Sequence, residues 1–517
     1  MQLKNILFTS LLVSGLTFSA DAQFVGDAFT FSQENNGGTA RFKGLGNANT
    51  ALGGDLSSIT GNPAGLGFFG QSDISISVNY NNANNKGSYF GTNTSKNKGR
   101  FGIDHAGVVF HMPVNQGYHG WQNFNVGISY ENTNTFTNNV RYEGVNPNNS
   151  IVNRYTDLMA SSNNAAWGDK LYGTFLVEEF GDAAKGYFPV TQEAANKTQI
   201  SDILTNGYNS RTALAFGANY NNKFYIGANL GFTRFQYDTS EQFSEGGWTK
   251  NRAEILANNP NSTIADPNHA DYDYVEARYR LLDDYFQRSE GSGIDFKIGA
   301  IYKPSLDWNI GATITSPTWL TIDDYTSSYI GVDYFDDETT TKAFSSKEVL
   351  TDPTEDSYNT ITPWKFSFGL TKFFSRGLLT ADVEYVDYSS IKVRTIGGVN
   401  PSLENSWDQE TKAAYQGAFN FRVGGEVLLT NTLSGRAGFN YYGNPYKNAD
   451  NKQLSGSLGL GVKLTKAMYM DLAVVHLVND YKTSPYQIDE SFWGSKSPVA
   501  DIKLQRTNAV LTLGAKF

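Results

Sequence analysis

Short runs in which every second residue is apolar recur along this chain of 517 residues, and they limit its fold more than any other feature. In "SDISISVNY" (72–80), for example, Ile74, Ile76 and Val78 alternate with serine and asparagine. Such alternation predicts a strand with one apolar and one polar face. Fourteen runs follow this rule, at 72–80, 103–112, 122–131, 211–220, 223–236, 292–303, 307–316, 363–374, 377–388, 419–429, 432–442, 453–464, 467–478 and 506–517.

The connections between these runs alternate in length. Those after even-numbered strands are mostly short turns, whereas most of those after odd-numbered strands are long and polar, above all 132–210 and 237–291. An even number of strands with short turns on one side and long loops on the other is typical of outer-membrane barrels. We therefore predict an all-β fold, a 14-stranded antiparallel transmembrane β-barrel in the outer membrane of a Gram-negative bacterium.

The composition agrees with a membrane barrel and excludes other classes. The chain has 51 Gly, 30 Tyr and 34 Phe, no cysteine, and a formal net charge of -10 without any block of basic residues. This charge balance argues against nucleic acid as a partner. After the N-terminal segment no apolar run is long enough for a spanning helix, so we expect strands alone to cross the bilayer.

The first 22 residues have the features of a signal peptide. Lys4 precedes an apolar stretch, and Ala20-Asp21-Ala22 resembles a cleavage site, which would leave Gln23 as the first mature residue. Export is predicted, with an uncleaved N-terminal anchor as the alternative. The predicted organisation is a signal peptide at 1–22, an N-terminal plug at 23–71, which we call the hatch, and the barrel with its outer loops at 72–517.

The hatch does not alternate and is rich in glycine and alanine. Short helices are expected near 45–53 and 55–60, the second capped by Asp55. Its small side chains suit close packing against the inside of the barrel wall. Asn62-Pro63-Ala64-Gly65 stands directly before the first strand. Because proline fixes its own φ and restricts the preceding residue, these four residues are predicted to anchor the hatch where the wall begins; an ordinary turn is the alternative.

This arrangement resembles the FadL/TodX type of outer-membrane transporters for long-chain fatty acids and other hydrophobic compounds. Members of that family are fourteen-stranded barrels with an N-terminal hatch and an NPA motif. Three further stretches are similar to hairpins of the family: "IGAIYKPSLDWNIGATITSPTWL" (298–320), "LTADVEYVDYSSIKV" (379–393) and "FRVGGEVLLTNTLSGRAGFNYYGNPY" (421–446). The long loops match nothing in this pattern.

The resemblance implies passive uptake of hydrophobic molecules, with release through the wall after the hatch shifts, and without a cofactor, a metal or catalysis. Phe24, Phe29, Phe31 and Phe42 of the hatch are candidate ligand contacts. The alternative is that these rings only seat the hatch on the wall.

The last strand supplies a further expectation. It ends on Phe517 and resembles the signal by which the barrel-assembly machinery recognises its substrates. On the polar faces of the strands, charged residues are predicted to point into the lumen and to form ion pairs there, since a charge facing lipid is costly. These are Asp295, Lys297, Lys365, Asp382, Glu384, Arg422, Glu426, Arg436, Lys463, Asp471 and Lys516.

Other functions remain open at the level of sequence. A haem-uptake barrel would use some of the five histidines, His105, His111, His119, His269 and His476, but their spacing is not that of a metal site. A general porin would share the barrel without the hatch. An outer-membrane lipase is the third alternative, although no G-x-S-x-G motif is present. Neither the identity of the ligand nor the oligomeric state follows from the residues.

Overall fold

The computed structural model describes residues 20–34, 37–114, 119–161, 170–449 and 451–517. Most of the predicted signal peptide lies outside the described residues. The residues of the predicted cleavage site, Ala20-Asp21-Ala22, form the start of the helix Ala20–Ser32, and cleavage there stays a prediction.

Fourteen antiparallel strands close into a barrel, which confirms the predicted fold class. Strand β1 pairs on one side with β2 and on the other with β14, where Asp73 lies opposite Lys516. The strands are β1 Asp73–Tyr89, β2 Thr92–Pro113, β3 Trp121–Thr135, β4 Lys197–Tyr220, β5 Phe224–Trp248, β6 Arg278–Ser305, β7 Trp308–Thr315 and Trp319–Phe335, β8 Thr354–Ile361 and Lys365–Phe374, β9 Gly377–Asp387, β10 Gly417–Leu428, β11 Leu433–Tyr442, β12 Lys452–Lys463, β13 Met468–Thr483 and β14 Ala500–Lys516.

Several wall strands are interrupted. Strand β3 resumes as Asn138–Asn146 and β9 resumes as Lys392–Thr395, whereas β7 and β8 break side by side. At that double break, Thr318 donates its N–H to Thr362 Oγ1 at 2.8 Å, and Thr362 returns an N–H to Thr318 O at 3.1 Å. Each break contains a proline, Pro317 or Pro363, which cannot donate to a ladder, so the hydroxyl of Thr362 completes the pairing.

The two faces of the wall are inverted relative to a water-soluble protein. On β1, Ile74, Ile76 and Val78 are nearly half exposed, while Ser75 and Ser77 between them are buried. The same alternation runs around the barrel. An outward apolar band with a polar interior is the arrangement of a barrel that spans a membrane.

Several strands continue well past the predicted ends. Strand β6 has 28 residues, about 95 Å of extended chain, whereas roughly 10 residues suffice to cross a membrane. The long connection expected after the first strand is wrong, because β1 and β2 run up to a tight turn at Phe90-Gly91. The sequence signal ends where lipid ends: beyond the membrane the outer face is polar, so alternation disappears although the ladder continues.

The helices are short and lie in the hatch and the outer loops. They are α1 Ala20–Ser32, α2 Ala40–Gly44, α3 Ile151–Ser161, α4 Arg252–Asn258, α5 Pro401–Ala414 and α6 Glu490–Trp493, with 3-10 turns of the hatch at Leu56–Ile59 and Pro63–Phe68. The helix expected near 45–53 does not form, whereas the second prediction is met by the turn at Leu56–Ile59, which Asp55 caps by accepting the N–H of Ser57. None of the helices within the described part of the chain is long and apolar enough to cross a membrane.

The outer loops form a packed layer with a core of its own. Buried apolar residues of α3, of the loop after it and of the upper ends of β5, β6 and β7 make one cluster. Beside it, the buried carboxylate of Glu245 accepts hydrogen bonds from Gln199 Nε2 (2.6 Å), Tyr279 Oη (2.7 Å), Ile151 N (3.2 Å) and the hydroxyl of Ser150. One carboxylate therefore ties the first turn of α3 to three wall strands.

Candidate functional site

The hatch lies inside the barrel and touches the wall on several sides. Helix α2 contacts β11 to β14, and the turn Pro63–Phe68 contacts β3 to β6. Since the wall is closed and the hatch is almost wholly buried, the segment fills the lower lumen. Its role as a separate domain that gates transport stays a prediction.

Asn62 joins the hatch to itself and to the wall. Its side-chain oxygen accepts the N–H of Ala64 at 3.0 Å, and its amide nitrogen donates to Thr50 O at 2.6 Å and to Ala300 O of β6 at 3.3 Å. Pro63 opens the 3-10 turn that Asn62 caps, and Gly65 donates its N–H to Asn62 O at 2.9 Å. The predicted anchor residues thus have the geometry of an anchor at the wall; a part in gating stays a prediction.

Glycines of the wall leave room for the hatch backbone. A Cβ on Gly299 would overlap Asn62 Oδ1, and one on Gly311 would overlap Thr50 O. At five more inward glycines an added Cβ would come within 2.5 Å of a hatch or wall atom: Gly217, Gly227, Gly369, Gly424 and Gly438. These residues form a glycine belt, which the sequence displays as glycine on the polar face of strands. In an alternating apolar and polar pattern such glycines count only as non-apolar residues, so the pattern does not indicate their contact with the hatch.

Buried ion pairs hold the turn side of the hatch. Lys43 of α2 lies 2.6 Å from Asp104 of β2, both nearly inaccessible to solvent. Arg41 contacts Glu426 at 3.1 Å, Glu426 contacts Arg436 at 2.6 Å, and Arg436 contacts Asp471 at 2.5 Å. This chain of alternating charge links the hatch to three wall strands.

A second set of charges lies higher in the lumen, and we call it the ionic layer: Glu34, Lys297, Lys365, Glu384 and Arg422. Lys365 contacts Glu34 at 2.6 Å and Arg422 contacts Glu384 at 2.7 Å. Lys297 donates to Thr60 O at 2.6 Å, and no carboxylate of the described residues lies within 4 Å of its Nζ. Burial by itself raises the pKa of Glu34, but Lys365 and Arg211 lower it to about 2, so this carboxylate stays charged.

Most of the predicted inward charges therefore do point inward and are paired. Asp295 pairs with Arg211, and Asp382 accepts hydrogen bonds from Thr50. Lys463 and Lys516 are different, because both are exposed at strand ends on the turn side. Their prediction as lumen residues is wrong, since the last residue of a strand has left the enclosed part of the wall.

Three of the four predicted ligand contacts come together above the ionic layer. Phe29 stacks on Tyr415 with ring centroids 4.4 Å apart, and Phe31 stacks on Phe235 at 4.3 Å. Phe24 meets Tyr358 at 4.7 Å. These rings belong to one cluster, which we call the aromatic cluster. It also contains neighbouring aliphatic side chains and the rings of Phe136, Tyr237, Tyr388, Trp407 and Tyr446.

Phe42 is not part of the aromatic cluster. It is fully buried against Leu45, Leu52 and Leu378, near the turn end of β9. The sequence places all four phenylalanines in one segment, but α1 carries three of them toward the outer side while α2 carries the fourth toward the turns. A role of any of them in ligand binding stays a prediction.

A cavity of about 260 Å³ lies beside the aromatic cluster, where Thr30, Ser32, Gln33 and Glu34 of the hatch line it. Charged side chains of the ionic layer line one part of it, and Val386, Tyr388 and Tyr446 line another. The space is thus amphipathic, with aromatic rings next to fixed charges.

The wall has an opening between β2 and β3. Their ladder runs from Pro113–Asn123 to His105–Glu131, and beyond that pair the backbone ladder of β2 continues with β1, while the side chain of Arg100 reaches across to Gly207 O at 2.9 Å. Farther out, the β1–β2 hairpin meets the resumed strand again through Asn85 Nδ2, which donates to Asn139 O at 2.7 Å. Between these two closures lies what we call the window, with a cavity of about 90 Å³ behind it that reaches Lys43.

The histidines do not converge. His105 is fully buried in the wall, and His111 on the same face is hydrogen-bonded to Asn125 Oδ1 at 2.8 Å. His269 lies in an outer loop and caps a 3-10 turn, and His476 is bonded to Thr507. In the described ranges no group of three or more His, Cys, Asp and Glu side chains is arranged to hold a metal ion.

The C-terminal residue follows β14 and pairs with the residue that precedes β1. Phe517 donates its N–H to Ser72 O at 3.0 Å, and its ring is two-thirds exposed on the outside. Recognition of this strand by the assembly machinery stays a prediction.

Comparisons with known proteins identify the architecture. No protein-family model matches the chain, and no curated protein sequence matches it either. Among solved structures, a FadL homologue of Pseudomonas aeruginosa is 15% identical, covers 94% of this chain and 99% of its own, and superposes with a TM-score of 0.52. A deltaS2 mutant of the monoaromatic hydrocarbon channel TodX is 12% identical with the same TM-score, over 94% of this chain and 100% of its own. The P. putida toluene transporter TodX is 13% identical, with 94% and 99% covered and a TM-score of 0.49. The chain therefore has the fold of the FadL-type outer-membrane β-barrels.

Proposed function

We propose that this protein is an outer-membrane channel for the passive uptake of hydrophobic molecules, of which long-chain fatty acids are the best candidates. The observation that carries the proposal is the layering of the lumen. An aromatic cluster lies on the outer side, and the hatch with its buried ion pairs closes the lumen beneath it. Binding and passage need no cofactor and no chemistry, so we propose no catalytic role.

This layering disfavours a general porin. A hydrophilic solute needs a continuous aqueous path, whereas here Lys43–Asp104, Arg41–Glu426 and the Asn62 anchor fix the hatch across the lumen. Breaking such a buried pair costs about 3–5 kcal/mol, because it leaves a charge unpaired. The state in which the hatch is displaced is therefore rarely populated.

The window between β2 and β3 is the proposed exit. An apolar ligand leaving the aromatic cluster downward would have to cross the ionic layer, at a loss of roughly 25 cal/mol for each Å² of apolar surface that becomes hydrated. Phe136 of the cluster stands at the break of β3, one residue beyond Thr135, which lines the cavity behind the window. Release sideways through the window avoids the ionic layer.

Lys297 favours a ligand with an anionic end. The other four members of the ionic layer are paired as Lys365–Glu34 and Arg422–Glu384, so Lys297 leaves one positive charge beside an aromatic surface. A fatty acid matches both features, with a carboxylate for the lysine and a chain for the rings. A neutral aromatic compound would contact the rings but not pair with Lys297, so its uptake is compared with that of a fatty acid in the experiment.

The test is uptake by cells that lack their own fatty-acid channel. We expect cells producing this protein to take up labelled oleate but not a small hydrophilic sugar. The double variant Asn62→Ala, Pro63→Ala is expected to lose oleate uptake at equal amounts of folded surface barrel, because the hatch no longer holds one position beside the window. Asn97→Ala, exposed on the β1–β2 hairpin, is the matched control.

The alternative functions make different predictions in the same cells. Sugar uptake without oleate uptake would identify a porin. Uptake of toluene but not of oleate would remove the role given to Lys297, and haem uptake alone would replace the proposed ligand class.

A further inference from the structure

Helix α5 covers the aromatic cluster on its outer side. Leu403, Trp407, Thr411 and Ala414 recur at a spacing of three or four residues and lie on one face, which is directed at α1 and the cluster. Trp407 meets Phe24 with ring centroids 5.5 Å apart. The other face of the helix is exposed to solvent and carries Pro401, Ser402, Asn405, Gln409, Lys412 and Ala413.

The cluster beneath α5 is closed. Phe29, Phe31 and Trp407 are each at most 3% exposed, and stacked rings fill the space between them. A ligand from outside the cell therefore reaches Phe29, Phe31 and Trp407 only if a covering element moves. Helix α1 lies inside the lumen, whereas α5 lies between the cluster and solvent, so α5 has to move first.

The C-terminal end of α5 is fixed by backbone hydrogen bonds. Lys447 donates its N–H to Ala414 O at 2.9 Å, and Gln416 donates to Pro445 O at 2.8 Å. Tyr415 and Tyr446 form an isolated antiparallel bridge between these two segments. This end of the helix is joined directly to the strand that follows, β10, and to the loop 443–449.

The N-terminal end is held mainly by side chains. Arg394 makes a two-point contact with Asp408, at 2.9 and 3.0 Å, and its Nε lies 3.7 Å from Glu404 Oε2. Glu404 Oε1 in turn accepts the N–H of Thr395 at 2.9 Å. Between Thr395 and the helix stand Gly397 and Gly398, with φ of 74° and 65°.

Both glycines take a left-handed conformation that residues with a side chain rarely adopt, and glycine is also the least restricted residue when such a link changes shape. One end of α5 is thus held by backbone hydrogen bonds and can act as a pivot, whereas the other follows a glycine link and is fastened by Arg394 and by the contact of Thr395 with Glu404.

We propose that α5 is the lid of the entry site. It pivots at Tyr415, opens at its N-terminal end when Arg394 releases Asp408 and Glu404, and draws Trp407 off Phe24 so that a hydrophobic molecule reaches the aromatic cluster from the outer side. The proposal deepens the proposed function and rests on it. It assigns the entry site to loop 388–416 and the control of entry to Arg394.

A reversible crosslink tests the lid. Because the chain has no cysteine, Arg394→Cys, Asp408→Cys creates the only two thiols, which a short bis-methanethiosulfonate reagent joins across the former ion pair. We expect the joined protein to take up labelled oleate at least tenfold more slowly than the same protein after treatment with reductant. Oleate uptake at equal rates in the joined and reduced protein would overturn the proposal while leaving the channel function intact.

A second measurement detects opening of the lid and does not depend on transport. Trp407→Cys is labelled by a membrane-impermeant maleimide only when the lid opens. We expect Arg394→Ala in this background to speed labelling severalfold, whereas Gln409→Cys, on the exposed face, is labelled equally with and without Arg394. Equal labelling of the cysteine at 407 in both backgrounds would contradict the latch. If even the reduced double-cysteine protein moves no oleate, the proposed function fails and the labelling result alone decides on the lid.

Discussion

Asn62 shows how one side chain can fix a whole segment. Its amide accepts a hydrogen bond from Ala64 within the hatch and donates hydrogen bonds to Thr50 in another hatch segment and to Ala300 in the wall. The contact with the wall depends on Gly299, whose missing side chain leaves the space that the Asn62 oxygen fills. The contact of Asn62 with the wall thus requires glycine at position 299.

The glycine belt can be tested at one position. In Gly311→Ala the new methyl group overlaps Thr50 O, so we expect a hatch that does not seat in a wall that still closes, since alanine is compatible with a strand. Limited proteolysis of purified protein should cut within 37–69 at protease concentrations that leave the wild type intact. Heat-modifiable migration on gels should stay unchanged.

The control is Gly456→Ala, at a position on the outer face of β12 where an added Cβ meets nothing within 4 Å. Equal protease resistance of the two variants would contradict the proposed contact between belt and hatch.

At the level of elements, α2 is a helix of five residues that cannot be stable alone and is held by charge. Lys43 reaches Asp104 of β2, and Arg41 reaches Glu426 of β10. The strands were predictable within the membrane, whereas their outer extensions and the position of the hatch helices were not. Alternation in sequence reports the contact with lipid, and neither α2 nor the upper half of β6 makes that contact.

Removal of Lys43 should therefore release the hatch. In Lys43→Ala the carboxylate of Asp104 stays buried without its cation, which costs about 3–5 kcal/mol. We expect proteolytic cleavage of the hatch to begin at a lower urea concentration than in the wild type, with the barrel still folded.

A second substitution separates charge from packing in this prediction. Asp104→Asn added to Lys43→Ala removes the unpaired charge and should restore part of the resistance. An unchanged cleavage midpoint in Lys43→Ala would mean that the pair does not hold the hatch.

As a whole molecule, the protein is a membrane barrel that carries a packed outer layer. The outer loops after β3, β5, β7 and β13 share one apolar core with the extended ends of β5, β6 and β7. The polar centre of this layer is Glu245, which gathers donors from parts of the chain that are far apart in sequence.

Glu245→Ala is expected to loosen the outer layer and spare the barrel. The change strands several buried donors, at a cost on the order of 3 kcal/mol. Protease added to intact cells should then cut the loop 147–196 in the variant and not in the wild type. Glu290→Ala, exposed on the outer face of β6, should behave as the wild type. Resistance of Glu245→Ala equal to that control would contradict the role of this carboxylate.

The sequence by itself determined the number of strands, their order, the orientation of their faces and the side on which the long loops lie. It could do so because lipid on one side and polar groups on the other impose a period of two on every spanning strand. It also marked the hatch and Asn62-Pro63, since these break the period. Only the tertiary structure decided that Phe24, Phe29 and Phe31 gather under Trp407 while Phe42 lies elsewhere, that no carboxylate of the described residues lies within 4 Å of Lys297 Nζ, and that Arg394 contacts Asp408 of α5. These facts depend on which residues meet across the lumen, and no local pattern records the distance between residues that are hundreds of positions apart.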